Sequence, residues 1–254
     1  MRNHFKILIL TSVVVLASCS CLRAQMAPKP GEAKAQAVPA PMHDLSGVWN
    51  MHPAPAQRKY INSTYTQAGP EMTDWAKAKY DAAKPSNGPR SNALTVSDDP
   101  VLRKCFPPGT PRIYLQPFPL QFIQTPKEII IIYEYDHTVR QIFTDGRPHP
   151  DDVIPTYMGH SIGKWEGDTL VVDTIGFNEK TWLDRDGHQH SDQLHVMERF
   201  HRVDRDNLQI DITMEDPKAL VKPWVTQLNF QLKPDWDIME LACTDNTAFE
   251  DFEK

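Results

Sequence analysis

Short stretches rich in Ile, Val, Tyr, Phe and Thr recur from residue 120 to near the end of the sequence. Turn residues separate them at a spacing of roughly ten residues, which is typical of antiparallel β-structure. Together with a first stretch that carries Trp49, they predict about nine or ten strands. The predicted strands are 45–49, 120–124, 129–135, 138–144, 160–165, 169–177, 194–202, 208–214, 226–232 and 238–243.

Several links between these strands are very short, as at 126–128, 136–137, 166–168, 204–207 and 234–236. Short links force sequential strands to pair antiparallel. A series of up-and-down strands hides its edges most economically by closing on itself. The sequence therefore predicts a mainly β fold, an antiparallel up-and-down meander that closes into a barrel of about nine or ten strands.

One short helix is expected near 70–84, where apolar residues follow helical spacing and Pro70 stands at the first turn. The 254 residues suffice for one domain with its own core. We assign residues 44–254 to this single β-barrel domain.

The amino terminus has the pattern of an export signal. Arg2 and Lys6 precede the apolar run 7–17, which is too short to span a bilayer as a mature helix. The run ends in Leu16-Ala-Ser-Cys19, which resembles a bacterial lipobox. This resemblance implies a signal peptide at 1–18, a lipidated Cys19 and a flexible tether at 19–43. The alternative is an ordinary signal peptide that is cut further on.

These features predict an exported lipoprotein, periplasmic or anchored in the outer membrane, whose membrane contact is the amino-terminal lipid alone. With Cys19 lipidated and Cys21 in the tether, Cys105 and Cys243 remain as an even pair in an oxidising compartment. We expect a disulfide between them; the alternative is two buried free thiols.

Composition and charge exclude several functional classes. Charged residues make up 24% and hydrophobic residues 40% of the chain, which excludes both a multi-span membrane protein and a chain disordered throughout. The net charge of −6 comes with scattered Lys and Arg rather than a basic stripe. We therefore expect no nucleic-acid partner.

Two resemblances support this interpretation. The Gly47-Val-Trp49 start of the first strand, followed by a meander, resembles the lipocalin-like barrels, in which the tryptophan plugs the closed end. The segments 105–112, 133–140, 145–150, 158–173 and 181–185 are similar to a family of uncharacterised secreted bacterial proteins. The second resemblance implies secretion and a β-rich domain and brings no activity with it.

Histidines concentrate between residues 137 and 201, where acids and arginines accompany them. His188 and His190 share one face if their segment is extended, and His195 could fold back to complete a three-imidazole set for Zn²⁺ or a similar cation. The alternative is a polar loop of solvated histidines. A cofactor is otherwise not expected.

A second arrangement needs no metal. A hairpin turn at 166–168 would place His160 near Ile175, on the same side of the sheet as Asp173. A carboxylate that orients an imidazole is what a general base requires. We therefore predict His137, His160 and Asp173 as catalytic residues around one cavity with the other histidines. A one-residue slip in register would turn this face around.

Other side chains could bind a small ligand in such a cavity. Tyr133, Tyr135, Trp165 and Trp182 could line a pocket for an apolar or aromatic molecule, although aromatic residues in strands also form ordinary core. Arg140 could pair with a ligand carboxylate, as could Arg112 and Arg147, or each could pair with the chain's own acids.

Two functions remain from the sequence. The first is an enzyme that acts on a small apolar or aromatic molecule by non-redox acid and base chemistry, as a lyase, isomerase or hydrolase. The second is a non-catalytic lipoprotein of lipocalin-like type that binds a small molecule. A purely structural role in the cell envelope is a third hypothesis. No nucleophile elbow, phosphate loop or dinucleotide fingerprint occurs in the sequence.

Overall fold

The computed structural model describes residues 43–243, and these fold into a closed barrel of nine strands in sequential order. Two short helices, α1 (Asp74–Ala82) and α2 (Pro100–Lys104), lie between the first two strands. The strands are β1 (Gly47–Met51), β2 (Leu120–Gln124), β3 (Glu128–Tyr133), β4 (Val139–Phe143), β5 (His160–Glu166), β6 (Thr169–Ile175), β7 (His195–Arg202), β8 (Asn207–Glu215) and β9 (Trp224–Leu232).

The predicted mainly β barrel and the helix near 70–84 are confirmed, and α2 was not foreseen. The strand predicted at 238–243 is wrong. That segment makes one isolated bridge, from Leu241 to Tyr135, because β1 already pairs with β9 and closes the barrel. The residues expected to form a signal peptide, 1–18, and all but the last residue of the expected tether, 19–43, lie outside the described residues.

The expectation that all neighbouring strands pair antiparallel is wrong at one place. Strands β4 and β5 are parallel and share two residue pairs, Ile142 with Ser161 and Phe143 with Ile162. Their connection, residues 144–159, is long enough to carry the chain back to the end where β4 began, and a parallel pair requires such a crossover. We call residues 144–159 the crossover segment.

One end of the barrel is closed by tight turns and by a buried tryptophan. Trp49 on β1 is fully buried, and its indole nitrogen donates to the carbonyl of Leu45 over 2.9 Å. The guanidinium of Arg202 lies 5.1 Å from its ring centroid. The expected burial of this tryptophan at the closed end is thus observed. The opposite end, the covered end, carries residues 52–119 and the β6–β7 connection.

The interior of the barrel contains a buried ion pair. Arg140 on β4 and Glu198 on β7 are 1% and 0% exposed, and both terminal nitrogens of Arg140 donate to the carboxylate. Arg140 also donates to Ser161, to Tyr114 and to Thr174, so all of its donors have partners. The interior is therefore a packed core around a satisfied charge pair.

The expected disulfide is confirmed, since Cys105 after α2 is bonded to Cys243 with their Cα atoms 5.5 Å apart. It fixes the segment after β9 to the covering residues of the barrel. No helix between residues 43 and 243 is long and apolar enough to cross a membrane.

Candidate functional site

The outer wall of the barrel carries a cleft where β4 and β5 separate. Only the last two residues of β4 pair with β5, so the strands diverge toward the covered end, and the crossover segment passes beside the gap. The cleft has a volume of about 820 Å³, within the range of roughly 300–1,000 Å³ for small-molecule sites. We call it the wall cleft.

The lining of the wall cleft is mostly apolar and comes mainly from two segments, with Asp136 and Asp152 as its carboxylates. Strand β4 contributes one side, and the crossover segment contributes the other, and His160 stands at the start of β5 between them. The His160 ring stacks on Phe143, with centroids 5.4 Å apart and an interplanar angle of 29°. The apolar lining includes Val139, Phe143, Val153, Ile154, Tyr157 and Met158.

Behind His160, a line of hydrogen-bonding groups crosses the outer face of the sheet. His160 Nδ1 lies 2.8 Å from His149 Nδ1, and His149 Nε2 lies 3.3 Å from Asp173 Oδ1. The same carboxylate oxygen lies 2.9 Å from His195 Nε2, and His195 Nδ1 lies 3.4 Å from Glu215 Oε2. We call His160, His149, Asp173 and His195 the imidazole relay.

The carboxylate determines which nitrogen carries each proton along this line. An ionised Asp173 can only accept, so His149 donates to it from Nε2. In a neutral His149, Nδ1 then accepts, and His160 must donate from its own Nδ1. This leaves Nε2 of His160 with a free lone pair. The arrangement therefore presents a hydrogen-bond acceptor or base beside the cleft.

The surroundings of His160 favour this neutral form. Partial burial lowers the pKa of His160 below its ordinary value, and the nearby His149 and Arg147 lower it further. An imidazole that stays neutral near pH 7 keeps its lone pair for proton transfer.

The register that the sequence suggested is observed, since His160 pairs with Ile175 and lies on the same side of the sheet as Asp173. This side faces outward. Asp173 does not orient His160 directly, because His149 lies between them. Sequence reasoning assigned His149 no role, although it ends a notable polar stretch that begins at Asp145.

The six residues expected around one cavity are divided among different places. His160, Asp173 and His195 lie together on the outer face, whereas His137 is exposed in the β3–β4 turn. His188 and His190 are buried in the β6–β7 connection at the covered end.

The three imidazoles proposed for a metal each have separate partners. His188 contacts Asp184, His190 contacts Thr181 and the carbonyl of Ser191, and His195 belongs to the imidazole relay. Within residues 43–243, no group of three or more His, Cys, Asp or Glu side chains is placed to hold a metal ion. The described residues thus offer the hypothesis no support.

The residues suggested for ligand binding also lie apart. Tyr133 and Trp182 are buried core, Tyr135 packs near Phe118, and Trp165 stacks on His43. The alternative of internal pairing is observed for the arginines. Arg140 pairs with Glu198, Arg112 with Asp99 and Arg147 with Asp145. Among these candidates only Arg140 borders the wall cleft, and its guanidinium is already occupied.

A comparison with models of protein families gives no match to this sequence, and a search of the curated proteins gives none either. The geometry of the wall cleft and its imidazoles is therefore the basis for assigning a function.

Proposed function

We propose that the protein is an exported lipoprotein that binds a small apolar or aromatic molecule in the wall cleft and transfers a proton to or from it. His160 is the general base, and the chemistry is that of a lyase, isomerase or hydrolase. The observation that carries this proposal is the contact between His160 and His149 beside an apolar cleft.

The roles within the imidazole relay follow from the contacts. Nε2 of His160 takes the proton from the ligand, while the bond to His149 holds the ring in position. His149 and Asp173 are positioning residues, since neither needs to touch the ligand. When His160 becomes cationic, its Nδ1–H can move toward His149, which spreads the charge toward the Asp173 carboxylate.

The apolar lining favours this class of ligand over a highly charged one. Val139, Phe143, Ile154 and Met158 offer apolar surface beside the carboxylates of Asp136 and Asp152, so burial of an apolar ring is favourable by about 25 cal/mol per Å². Phe143 also offers a ring for offset or edge-to-face stacking.

A base-catalysed elimination on an aromatic probe tests the proposal. With 5-nitrobenzisoxazole, removal of the C–H proton by Nε2 of His160 breaks the N–O bond and yields a cyanophenolate that absorbs visible light. We expect His160→Gln to lower the second-order rate at least tenfold. His137→Gln, at an exposed histidine, is the matched control and should leave it unchanged.

Binding is measured separately with the apolar fluorophore N-phenyl-1-naphthylamine. Retained binding in His160→Gln together with the lost rate supports catalysis. Binding without any rate difference between the wild type and this variant supports the second candidate, a non-catalytic small-molecule carrier, and contradicts the assignment of His160 as a base. If the wild type does not bind the fluorophore, both candidate functions, the enzyme and the non-catalytic carrier, are contradicted.

A further inference from the structure

A second cavity lies at the covered end of the barrel, between the segment 59–69, α1 and the β6–β7 connection. Its volume is about 490 Å³, and it shares no lining residue with the wall cleft. This volume also falls in the range of roughly 300–1,000 Å³ that small-molecule sites occupy. We call it the end cavity.

Asp184 fixes the orientation of a histidine in the end cavity. Its Oδ2 lies 2.7 Å from Nδ1 of His188, and its Oδ1 accepts from the backbone N–H groups of Asp186, Gly187 and His188. Although burial opposes ionisation, His188 and these hydrogen bonds lower the pKa of Asp184. The ionised carboxylate accepts from Nδ1–H, and in a neutral His188 this tautomer leaves Nε2 as an acceptor.

Within residues 43–243 this acceptor has no hydrogen-bond partner. The His188 side chain is 5% exposed, stacked 4.4 Å from the Tyr80 ring, with the edge of Trp224 at 5.4 Å. Among the described residues, Nε2 makes no hydrogen bond, and it points toward Gly69, where a Cβ atom would lie 3.0 Å away. The ring itself is buried, and a ligand hydroxyl in the cavity would supply the hydrogen bond that Nε2 lacks.

The other polar groups of the end cavity define the charge of a fitting ligand. Lys59 lines the cavity, and its ammonium forms no ion pair within residues 43–243. Asp186 also lines the cavity; its Oδ2 accepts from the Tyr80 hydroxyl over 2.9 Å, while its Oδ1 has no partner among the described residues. One cation and one carboxyl group therefore line the same cavity, and a ligand of either charge would be attracted by one of them and repelled by the other.

We propose that the end cavity binds a neutral polyhydroxylated molecule, a saccharide unit, with one ligand hydroxyl donating to Nε2 of His188. A hydroxyl group both donates and accepts. It can therefore satisfy His188 while a neighbouring hydroxyl accepts from Lys59. An alkylammonium ligand would be opposed by Lys59, and a carboxylate would be opposed by Asp186.

The test follows the Hε1 and Nε2 signals of His188 by NMR in the full chain. The probes are D-glucose and N-acetyl-D-glucosamine, with ethanolamine as the ammonium probe. We expect at least one sugar to shift these signals saturably, with a Kd on the order of 1 mM or tighter. No shift with either sugar, or a saturable shift with ethanolamine alone, would overturn the proposal.

Gly69→Ala gives a matched pair of variants with Gly167→Ala. Both glycines have positive φ, 68° and 62°, so both alanines carry a similar backbone cost. At Gly69 the new methyl crowds Nε2 of His188, whereas at Gly167 nothing lies within 4 Å. We expect Gly69→Ala to weaken sugar binding at least tenfold and Gly167→Ala to leave it unchanged.

Equal affinity in Gly69→Ala and Gly167→Ala would show that Nε2 of His188 is not the contact, and the proposal would fall. The variant His160→Gln should retain the sugar-induced shift, because the wall cleft and the end cavity share no residue. The variant therefore distinguishes an error in the proposed sugar site from an error in the proposed function of the wall cleft.

Discussion

The Nδ1 atoms of His149 and His160 lie 2.8 Å apart, although the two residues belong to different segments of the chain. One of the two nitrogens must donate and the other must accept. When His149 is neutral, Asp173 requires its proton on Nε2, and the donor in this pair is then His160. The contact thus controls the protonation of a residue that borders the wall cleft.

Removing His149 is expected to raise the pKa of His160. Burial lowers that pKa in the folded protein, and Arg147 and a protonated His149 lower it further, so His149→Ala should return it toward the ordinary value of about 6.5. The Hε1 signal of His160, titrated by NMR, measures this directly. An unchanged midpoint in His149→Ala would contradict the contact, and His137→Ala serves as the control without effect.

Breaking the buried ion pair is expected to destabilise the barrel strongly. Glu198→Ala leaves the Arg140 guanidinium uncompensated in the core, which typically costs about 3–5 kcal/mol. The double variant Arg140→Met with Glu198→Leu should cost less than the sum of the single changes, since it buries no unpaired charge. Urea unfolding measures the free energy of unfolding of each variant. If the loss in the double variant equals the sum of the losses in the single variants, Arg140 and Glu198 are not energetically coupled.

Stability should fall as the pH drops through the range in which histidines titrate. Burial lowers the pKa of His190 in the folded state, while the unfolded chain binds a proton near pH 6.5. Below about pH 6.5 the unfolded state therefore holds more protons, and the free energy of unfolding decreases. His190→Gln should flatten the slope between pH 7 and 5, whereas His137→Gln, at an exposed residue, should not.

Loss of the disulfide should reduce stability without abolishing the barrel. Cys105 and Cys243 are 138 residues apart in sequence, and such a crosslink contributes about 2–5 kcal/mol, mainly by restricting the unfolded chain. The double variant with serine at both positions should unfold at lower denaturant concentration. Far-UV circular dichroism should stay close to that of the wild type, because all nine strands precede Cys243.

The lipoprotein hypothesis depends on Cys19. Cys19→Ala should block incorporation of radiolabelled palmitate and leave the precursor uncleaved in the producing cell. Maturation of this variant at the same position would contradict the lipobox interpretation and favour an ordinary signal peptide.

The sequence predicts best those features that local chemistry controls. The two-residue turn at 167–168 sets the register of β5 against β6, so the pairing of His160 with Ile175 could be derived from alternation alone. The same alternation places Arg140 on the face of Ile142, but the identity of its partner depends on barrel closure. Glu198 is 58 residues away and becomes a neighbour only when β4 and β7 face each other across the core.

The path of the crossover segment could not be predicted in the same way. It has no periodic pattern, and its course depends on contacts with distant residues, such as the bridge between Thr156 and Phe177. His149 reaches the imidazole relay only because of that course. The sequence therefore predicted that His160 and Asp173 lie near each other. It did not predict that His149 lies between them.

The length of the crossover segment has a consequence for related barrels. A connection of only a few residues could form just a hairpin, and β5 would then run in the opposite direction beside β4. Full pairing of the two strands would seal the gap and remove the wall cleft altogether. In a set of homologous sequences, deletions between residues 144 and 159 should therefore mark the members that have lost this site, even where His160 and Asp173 are both retained.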